Sequence, residues 1–232
     1  TNKQIHTSVT CCGEAAQCPT MYNNGYGDHM IEGIGDRFVP WIFNARSQDA
    51  VACVDDTLCK RILRLFNESE GKKFLKEKLG FSDEYVNSLS QIGISSIANM
   101  IGCIKMAKHY DCDENDVLVS VATDSCEMYM SRLKEMDAKF GKYNPLQAAL
   151  DFENFQGIKT DMMRELSYTD RKQIHHLKYF TWVEQQGKTV EDLDAQFYER
   201  KYWEEIANYQ AELDERIVLF NKQAGVLKNK YH

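Results

Sequence analysis

A short loop in the first quarter of the chain combines residues suited to holding a flat ligand. Gly33 and Gly35 lie two apart, Asp36 and Arg37 follow, and Pro40 closes the segment. Glycines allow the backbone to approach a planar ring without a clash from Cβ. Apolar residues on both sides of the loop predict that it is held against another part of the molecule.

A second candidate is the pair Asp124 and Ser125, which follows the apolar run "DVLVSVAT" (Asp116–Thr123). This run predicts a buried strand, and ligands of open α/β sheets bind at the carboxyl ends of strands. The Ser125 hydroxyl or the Asp124 carboxylate would then face a ligand. Taken alone, the pair is more typical of an ordinary turn at the end of a strand.

Three segments in fixed order resemble one enzyme family. They are "IEGIGDRFVP" (Ile31–Pro40), "IGISSIANM" (Ile92–Met100) and "VATDSCEMYMS" (Val121–Ser131). The set resembles the C-terminal half of the fold-type-II pyridoxal-phosphate enzymes, the cysteine synthase and cystathionine β-synthase family. Members have a Gly-Ile-Gly loop ending in Pro, a Gly-Ile-Ser-Ser helix start and an Asp-Ser-Gly-Glu-Arg-Tyr-like turn. The resemblance covers roughly residues 5–135.

The resemblance implies a cofactor, a chemistry and a set of site residues. It implies pyridoxal 5'-phosphate, β-elimination or β-replacement on serine- or cysteine-like amino acids, and a ring-nitrogen contact from Ser125. The cofactor supplies the electron sink and the protein tunes it. If the Asp124 carboxylate faced the nitrogen instead, ring protonation would be favoured, and both assignments remain open. The predicted cofactor-binding residues are Gly33, Ile34, Gly35, Asp124 and Ser125.

The chain also departs from the family pattern. Asp36 and Arg37 stand where the family commonly has small, aromatic or apolar residues, which predicts a different substrate. With His29, they are expected near the mouth of the site, where a substrate enters. Ile97 replaces a Gly after Ser-Ser, and Cys126 and Met128 replace the Gly and Arg of the last turn.

The family's Schiff-base lysine, substrate-carboxylate loop and Gly-rich phosphate loop all precede the matched region. No lysine of this chain lies in a matching motif, and a covalent linkage to the cofactor needs one. The sequence therefore indicates the C-terminal portion of such an enzyme, inactive without its N-terminal half. The alternatives are a non-catalytic binding or scaffolding subunit and an enzyme of other chemistry that shares only the sheet.

Composition limits the other classes of function. The net charge of −7 and the absence of a dense basic stripe argue against nucleic acid and anionic membranes as partners. The apolar runs are shorter than the roughly 20 residues that a membrane span needs. Eight cysteines without CxxC spacing indicate free thiols in a reducing cytoplasm, and no metal site is predicted.

Strand-like and helical patterns alternate in the first part of the chain. Ile5–Cys11, Ala50–Val54 and Asp116–Thr123 are predicted as buried strands, with helices beginning at Asp55 and at Ser95. This order predicts an α/β fold, a three-layer αβα arrangement with a mostly parallel sheet. We assign residues 1–143 to the C-terminal portion of a cofactor-binding α/β domain.

Residues 144–232 are predicted to form an α-helical extension. Tyr168–Gly187 and Glu199–Gly225 have the pattern of long amphipathic helices. Their aromatic residues offer apolar area for packing on the α/β body or on a second subunit. A homodimer or larger assembly is expected.

Overall fold

A computed structural model describes residues 8–226 of the chain, and its secondary structure is mostly helical. The strands are β1 (Cys11–Ala15), β2 (Ala50–Val54) and β3 (Met163–Glu165). The helices of the first two-thirds are α1 (Thr20–Asn23), α2 (Asp56–Asn67), α3 (Ser69–Leu79), α4 (Asp83–Ser88), α5 (Ile94–His109), α6 (Met130–Phe140) and α7 (Pro145–Gln156). They are followed by α8 (Tyr168–His176), α9 (Val190–Tyr198), α10 (Arg200–Asn208) and α11 (Gln210–Gln223). Short 3-10 turns occupy Ala45–Ser47, Leu89–Gln91 and Cys126–Tyr129, and Tyr179–Val183 is a π-helix.

The sheet has three strands in the order β1-β2-β3. β1 runs parallel to β2, with Cys11 opposite Ala50 at one end of the ladder. β3 is antiparallel to β2, with Ala50 opposite Glu165. Every residue of the central strand β2 is buried. Among the described strands, β1 pairs only with β2, so its other side is an open edge.

The main core lies between β2 and the helices that follow it. The Asp55 side chain accepts a hydrogen bond from the Leu58 N–H at 2.7 Å and so caps α2 at its start. α2 and α5 then bury their apolar faces together, with α7 packed on α2. The fully buried members include Val54, Ile62, Leu65, Ile94, Ile97 and Ile101.

The prediction of a three-layer αβα fold with a mostly parallel sheet is wrong, because the structure is mostly helical and carries only a small sheet. The strand predicted over Ala50–Val54 is confirmed. The strand predicted over Asp116–Thr123 is wrong, because that segment forms no ladder and Val117 and Val119 are 84% and 87% exposed. A β-prone sequence becomes a strand only where a neighbouring strand completes its hydrogen bonds.

The first predicted strand is shifted rather than absent. It was expected over Ile5–Cys11, whereas β1 begins at Cys11. The start of the prediction, residues 5–7, lies outside the described residues. The helix predicted at Asp55 forms as α2, and the helix predicted at Ser95 forms as α5 beginning at Ile94.

The chain divides into two compact units after Leu177, whereas the change in sequence pattern had placed the boundary at residue 144. α7, β3 and α8 belong to the first unit because β3 pairs with β2 and α7 packs on α2. The helix predicted over Tyr168–Gly187 ends at His176 and gives way to the π-helix.

The second unit begins at Lys178 and contains α9, α10 and α11. Lys178 is fully buried, and its Nζ donates a hydrogen bond to Gln196 Oε1 at 2.7 Å. It also lies 5.8 Å from the centre of the Trp203 ring. Burial lowers the pKa of Lys178 to about 7.

No helix within residues 8–226 combines the length and the apolar character that crossing a bilayer requires.

Candidate functional site

The Gly33–Gly35 loop adopts a backbone conformation that favours glycine at both ends. Gly33 has φ +86° and Gly35 has φ +75°, in the left-handed region that side chains rarely adopt. Between them, Ile34 packs against the main core and holds the loop in place. A Cβ added at Gly33 would lie 3.5 Å from the Cβ of Ser95, so the loop lies beside the first turn of α5.

His29 steadies this loop from its N-terminal side. Its Nδ1 accepts a hydrogen bond from the Ile31 N–H at 3.3 Å, which assigns the hydrogen of the neutral ring to Nε2. Nε2 lies 3.4 Å from the carbonyl oxygen of Gly35. The half-buried imidazole therefore spans the loop.

The two charged residues after Gly35 are exposed. The Asp36 carbonyl accepts a hydrogen bond from the Thr20 hydroxyl at 2.6 Å. The Arg37 guanidinium donates to Asp28 at 3.0 Å and to the Gly27 carbonyl at 3.1 Å. The hydrogen bond to Asp28 raises the pKa of Arg37. The described contacts of Arg37 are therefore with residues preceding the loop.

Ser95, at the start of α5, connects the loop to the third motif. Its hydroxyl shares a hydrogen bond with Thr123 Oγ1 at 2.8 Å and donates to Asp124 Oδ1 at 3.2 Å. The N–H of Gly93 donates to the Asp124 carbonyl at 2.9 Å. The junction between α5 and Thr123–Asp124 is thus fixed by both side-chain and backbone bonds.

Both oxygens of the Asp124 carboxylate are engaged. Oδ1 faces Ser95 and Thr123, and Oδ2 accepts a short hydrogen bond from the Tyr129 hydroxyl. Burial, followed by this hydrogen bond to Asp124, raises the pKa of Tyr129. The tyrosine therefore stays a neutral donor that holds the carboxylate in place.

Ser125 lies beside this junction rather than at the end of a strand. It precedes the 3-10 turn Cys126–Tyr129, and its side chain does not cap that turn. The residue is half-buried. Its hydroxyl is consequently positioned at the rim of the junction without a capping role.

The predicted site residues fall into two groups. Asp124 and Ser125 form one group with Ser95, which was not among the predicted site residues and which donates to the Asp124 carboxylate; Gly33 lies beside Ser95. A cleft of about 420 Å³ lies over the loop, lined by His29, Ile31–Asp36 and Arg132. The cleft includes Gly33, Ile34, Gly35, His29 and Asp36 of the predicted site residues, whereas Arg37, Asp124 and Ser125 are not among its lining residues.

One wall of the cleft is an ion pair that the sequence did not indicate. Arg132 donates to Glu32 and to Glu135, and the pair Arg132–Glu32 spans 100 residues of sequence. The second oxygen of Glu32, Oε2, is buried with no hydrogen-bond partner among the described residues. The pair puts a positive and a negative group beside the loop, and no local pattern could have predicted it.

Cysteine thiols and potential metal ligands are the other side chains that could carry chemistry. All eight cysteines are free thiols. Burial raises the pKa of Cys12, Cys53 and Cys59, which makes these thiols poor nucleophiles. Across residues 8–226, no three His, Cys, Asp or Glu side chains are grouped to hold a metal ion.

Comparison of the chain with known protein families and with known proteins finds no match.

Proposed function

We propose that this chain supplies one wall of a pyridoxal-phosphate site in an enzyme that performs β-elimination or β-replacement on amino acids. The observation that supports the proposal is the convergence of three distant segments on Ser95. The loop at Gly33 lies beside that residue, and Thr123 and Asp124 bond to its hydroxyl. These are the same three segments whose order resembles the fold-type-II enzymes.

The residues present fit such a cofactor by their chemistry. Gly33 and Gly35 carry no side chain toward the cleft, so a flat ring can approach the loop backbone. The Asp124 carboxylate is already held by Ser95, Thr123 and Tyr129, which favours the neighbouring Ser125 hydroxyl as the partner of a ring nitrogen. When bound, the cofactor would supply the electron sink, while these residues bind and orient it.

The reaction would need a second polypeptide segment. No lysine of this chain lies in a motif like that of the family's Schiff-base lysine. No segment of the chain resembles the family's Gly-rich phosphate loop. We therefore propose the N-terminal half of the same enzyme as a partner, with an amino acid as the substrate. The eight free thiols fit a reducing compartment, and we place the protein in the cytoplasm.

Binding of pyridoxine 5'-phosphate, measured by titration calorimetry, tests the half-site. This probe lacks the aldehyde and so cannot react with surface lysines. We expect saturable 1:1 binding in about the millimolar range, corresponding to about −4 kcal/mol. Gly33→Val should abolish it, because the φ of +86° strains a branched residue at a position that lines the cleft.

Two further variants control this experiment. Ser125→Ala removes the proposed ring-nitrogen partner and should weaken binding several-fold. Gly80→Val introduces a similar strain at φ +71°, in open surroundings away from the cleft, and should leave binding unchanged. The proposal fails if the chain shows no saturable binding, or if Gly33→Val and Gly80→Val bind equally.

A non-catalytic assembly subunit is a second candidate, and the second unit favours it. α10 and α11 carry apolar residues spaced three or four apart, all at least 43% exposed: Ile206, Tyr209, Leu213, Ile217 and Phe220. Such a stripe on consecutive helices is typical of a helix–helix contact. A second copy of this chain would bury it, giving the expected homodimer.

Sedimentation velocity at micromolar concentration tests this assembly. Leu213→Asp should shift a dimer to monomer, because it introduces a charge at the centre of the stripe. Glu204→Asp, on an exposed residue of α10 with its charge retained, should leave the dimer intact. A wild-type chain that sediments as a stable monomer would rule out the candidate.

A further inference from the structure

The open edge of β1 faces a groove that the candidate cofactor site does not use. The groove has a volume of about 700 Å³ and runs between residues 8–13 and residues 116–120. β1 hydrogen-bonds to β2 on one side only within the described sheet. Backbone donors and acceptors along the other side therefore point into the groove.

The opposite wall is a second stretch of backbone with no described strand beside it. The residues from Val117 to Val121 have no regular secondary structure. Asn99 Nδ2 donates to the Val121 carbonyl at 3.0 Å and anchors the far end of the stretch on α5. The apolar side chains Val117, Val119 and Val121 are 84%, 87% and 68% exposed. The three valines therefore present exposed apolar side chains at alternate positions along the stretch.

The floor of the groove is a face of α5 that bears small residues. Ala98 and Gly102 line it, together with Asn99, Cys103 and Met106. A Cβ added at Gly102 would find nothing within 4 Å. A backbone lying in the groove could therefore come close to the helix.

One mouth of the groove is acidic. Asp116 lines the groove, and Asp113 and Glu114 immediately precede it on the exposed surface. Asp113 and Asp116 hold this turn together, since the Asp113 N–H donates to Asp116 Oδ2 at 2.9 Å. The side chain of Glu114 takes no part in that bond. An occupant with positive charge at this end would be complementary.

We propose that the groove binds an extended, apolar strand of another polypeptide, flanked by lysine or arginine at the end that meets Asp113, Glu114 and Asp116. Two facing backbone edges require donors and acceptors on both sides of the occupant. A β-strand offers these, whereas a helix satisfies its backbone internally. The proposal does not depend on the cofactor site.

A second copy of this chain fits the groove less well. The only strand-like segment that the described structure leaves unpaired and exposed is Val117–Val121, and it follows the same carboxylates. Parallel insertion of that segment would bring two acidic turns to one mouth, where like charges repel, and antiparallel insertion would bring the sequence Ala122–Asp124, which has no cation either. Charge complementarity therefore selects a different polypeptide.

Fluorescence anisotropy with a synthetic peptide tests the proposal directly. The probe is a labelled peptide of two lysines followed by six alternating valine and threonine residues, with a second version carrying the lysines at the other end. We expect one of the two to bind saturably. Gly102→Leu should weaken that binding at least tenfold, because it places a side chain on the floor of the groove at a position where a Cβ meets nothing within 4 Å. Lys73→Leu, on the exposed surface of α3, is the matched control and should have no effect.

Charge and strand character are tested separately. Glu114→Lys should weaken binding of the lysine peptide several-fold and strengthen binding of the same peptide with glutamates in place of lysines. A proline at the centre of the peptide should abolish binding, because it removes a backbone donor. Hydrogen exchange should slow in fragments containing residues 8–15 and 116–122 when the peptide is bound.

Three outcomes would overturn the proposal. The first is that neither peptide binds the folded wild-type chain, and the second is that Gly102→Leu and wild type bind equally. The third is that the exchange protection falls in other fragments. Self-association that Gly102→Leu abolishes would assign the groove to a second copy and also refute the proposal. Pyridoxine 5'-phosphate binding should be unchanged in Gly102→Leu, so failure of the groove and failure of the cofactor site can be told apart.

Discussion

Two segments of similar composition differ in burial and in strand pairing. β2, "AVACV", is wholly buried at the centre of the sheet. The stretch from Val117 to Val121, "VLVSV", is as rich in β-prone residues and yet exposed and unpaired among the described strands. The difference lies in the neighbours, because β1 and β3 flank β2, whereas the later stretch has a groove beside it. Residue type favours an extended backbone, and neighbouring strands determine whether it is buried.

Placing a charge in each segment should produce the largest contrast. Val51 is fully buried in β2, so Val51→Asp puts an unpaired carboxylate in the core and should lower the free energy of unfolding by about 4 kcal/mol or more. Val119→Asp, at an 87% exposed residue, should change it by less than about 0.5 kcal/mol. Urea denaturation followed by circular dichroism measures both. Equal losses in the two variants would show that residues 117–121 are as buried as β2.

The next largest change in the free energy of unfolding is expected at a glycine that is buried between two helices. Gly71 is buried in α3, and a Cβ there would lie 2.2 Å from the Leu65 carbonyl oxygen of α2. Gly71→Ala should therefore destabilise the protein by about 2 kcal/mol, despite the better helix propensity of alanine. Urea denaturation measures the change. A neutral or stabilising result would mean that α2 and α3 are not in this contact.

Alkaline pH should affect the buried strand through its cysteine. Burial raises the pKa of Cys53 above its ordinary value of 9.0, and the nearby Glu14 carboxylate adds to the effect. Above pH 9 the unfolded chain loses this proton while the folded chain keeps it, so stability is full below pH 9 and falls as the pH rises. The slope from this one group is at most about 1.4 kcal/mol per pH unit.

Cys53→Ser isolates this contribution, because serine can keep the hydrogen bond to Glu14 without titrating in this range. The variant should show a shallower loss of unfolding free energy between pH 9 and pH 10.5 than wild type. Ser120→Ala, beside the open groove, removes no group that titrates in this range, so it is the control and should leave the slope unchanged. Identical slopes for Cys53→Ser and wild type would contradict the assignment.

The same contrast explains which parts of the structure the sequence could predict. β2 and α2 were predicted because their signals are local: a short apolar run for the strand and an Asp55 cap before a periodic helix. The fold class was wrong because it depended on residues 116–123 joining a sheet, which requires a partner strand that no local pattern can supply. The sequence pattern changes at residue 144, whereas the second compact unit begins at Lys178, because α7 packs on α2 and β3 pairs with β2.

The candidate site also contains one part that a local sequence pattern predicted and other parts that no local pattern could predict. The glycine spacing at Gly33 and Gly35 indicated a constrained loop, and both residues have positive φ. Ser95 lies inside the Ile92–Met100 segment but was not among the predicted site residues, because its role comes from hydrogen bonds to Thr123 and Asp124 across the fold. The Arg132–Glu32 pair joins residues 100 apart in sequence and left no signal. Its partners become neighbours only when α6 folds beside the loop.

The smallest expected effect has the opposite sign and tests whether the groove is open. Gly102 is a glycine within the helix α5, as Gly71 is within α3, but a Cβ at Gly102 would meet nothing within 4 Å. Gly102→Ala should therefore show only the helix-propensity term and raise the free energy of unfolding by about 0.5–1 kcal/mol. Urea denaturation of Gly102→Ala and Gly71→Ala under identical conditions measures both changes, so each variant serves as the control for the other. If Gly102→Ala is destabilising in the isolated chain, the floor of the groove is already covered, and the contrast between the closed strand β2 and the open segment no longer holds. A gain that turns into a loss when a strand peptide is added would place that peptide directly on α5.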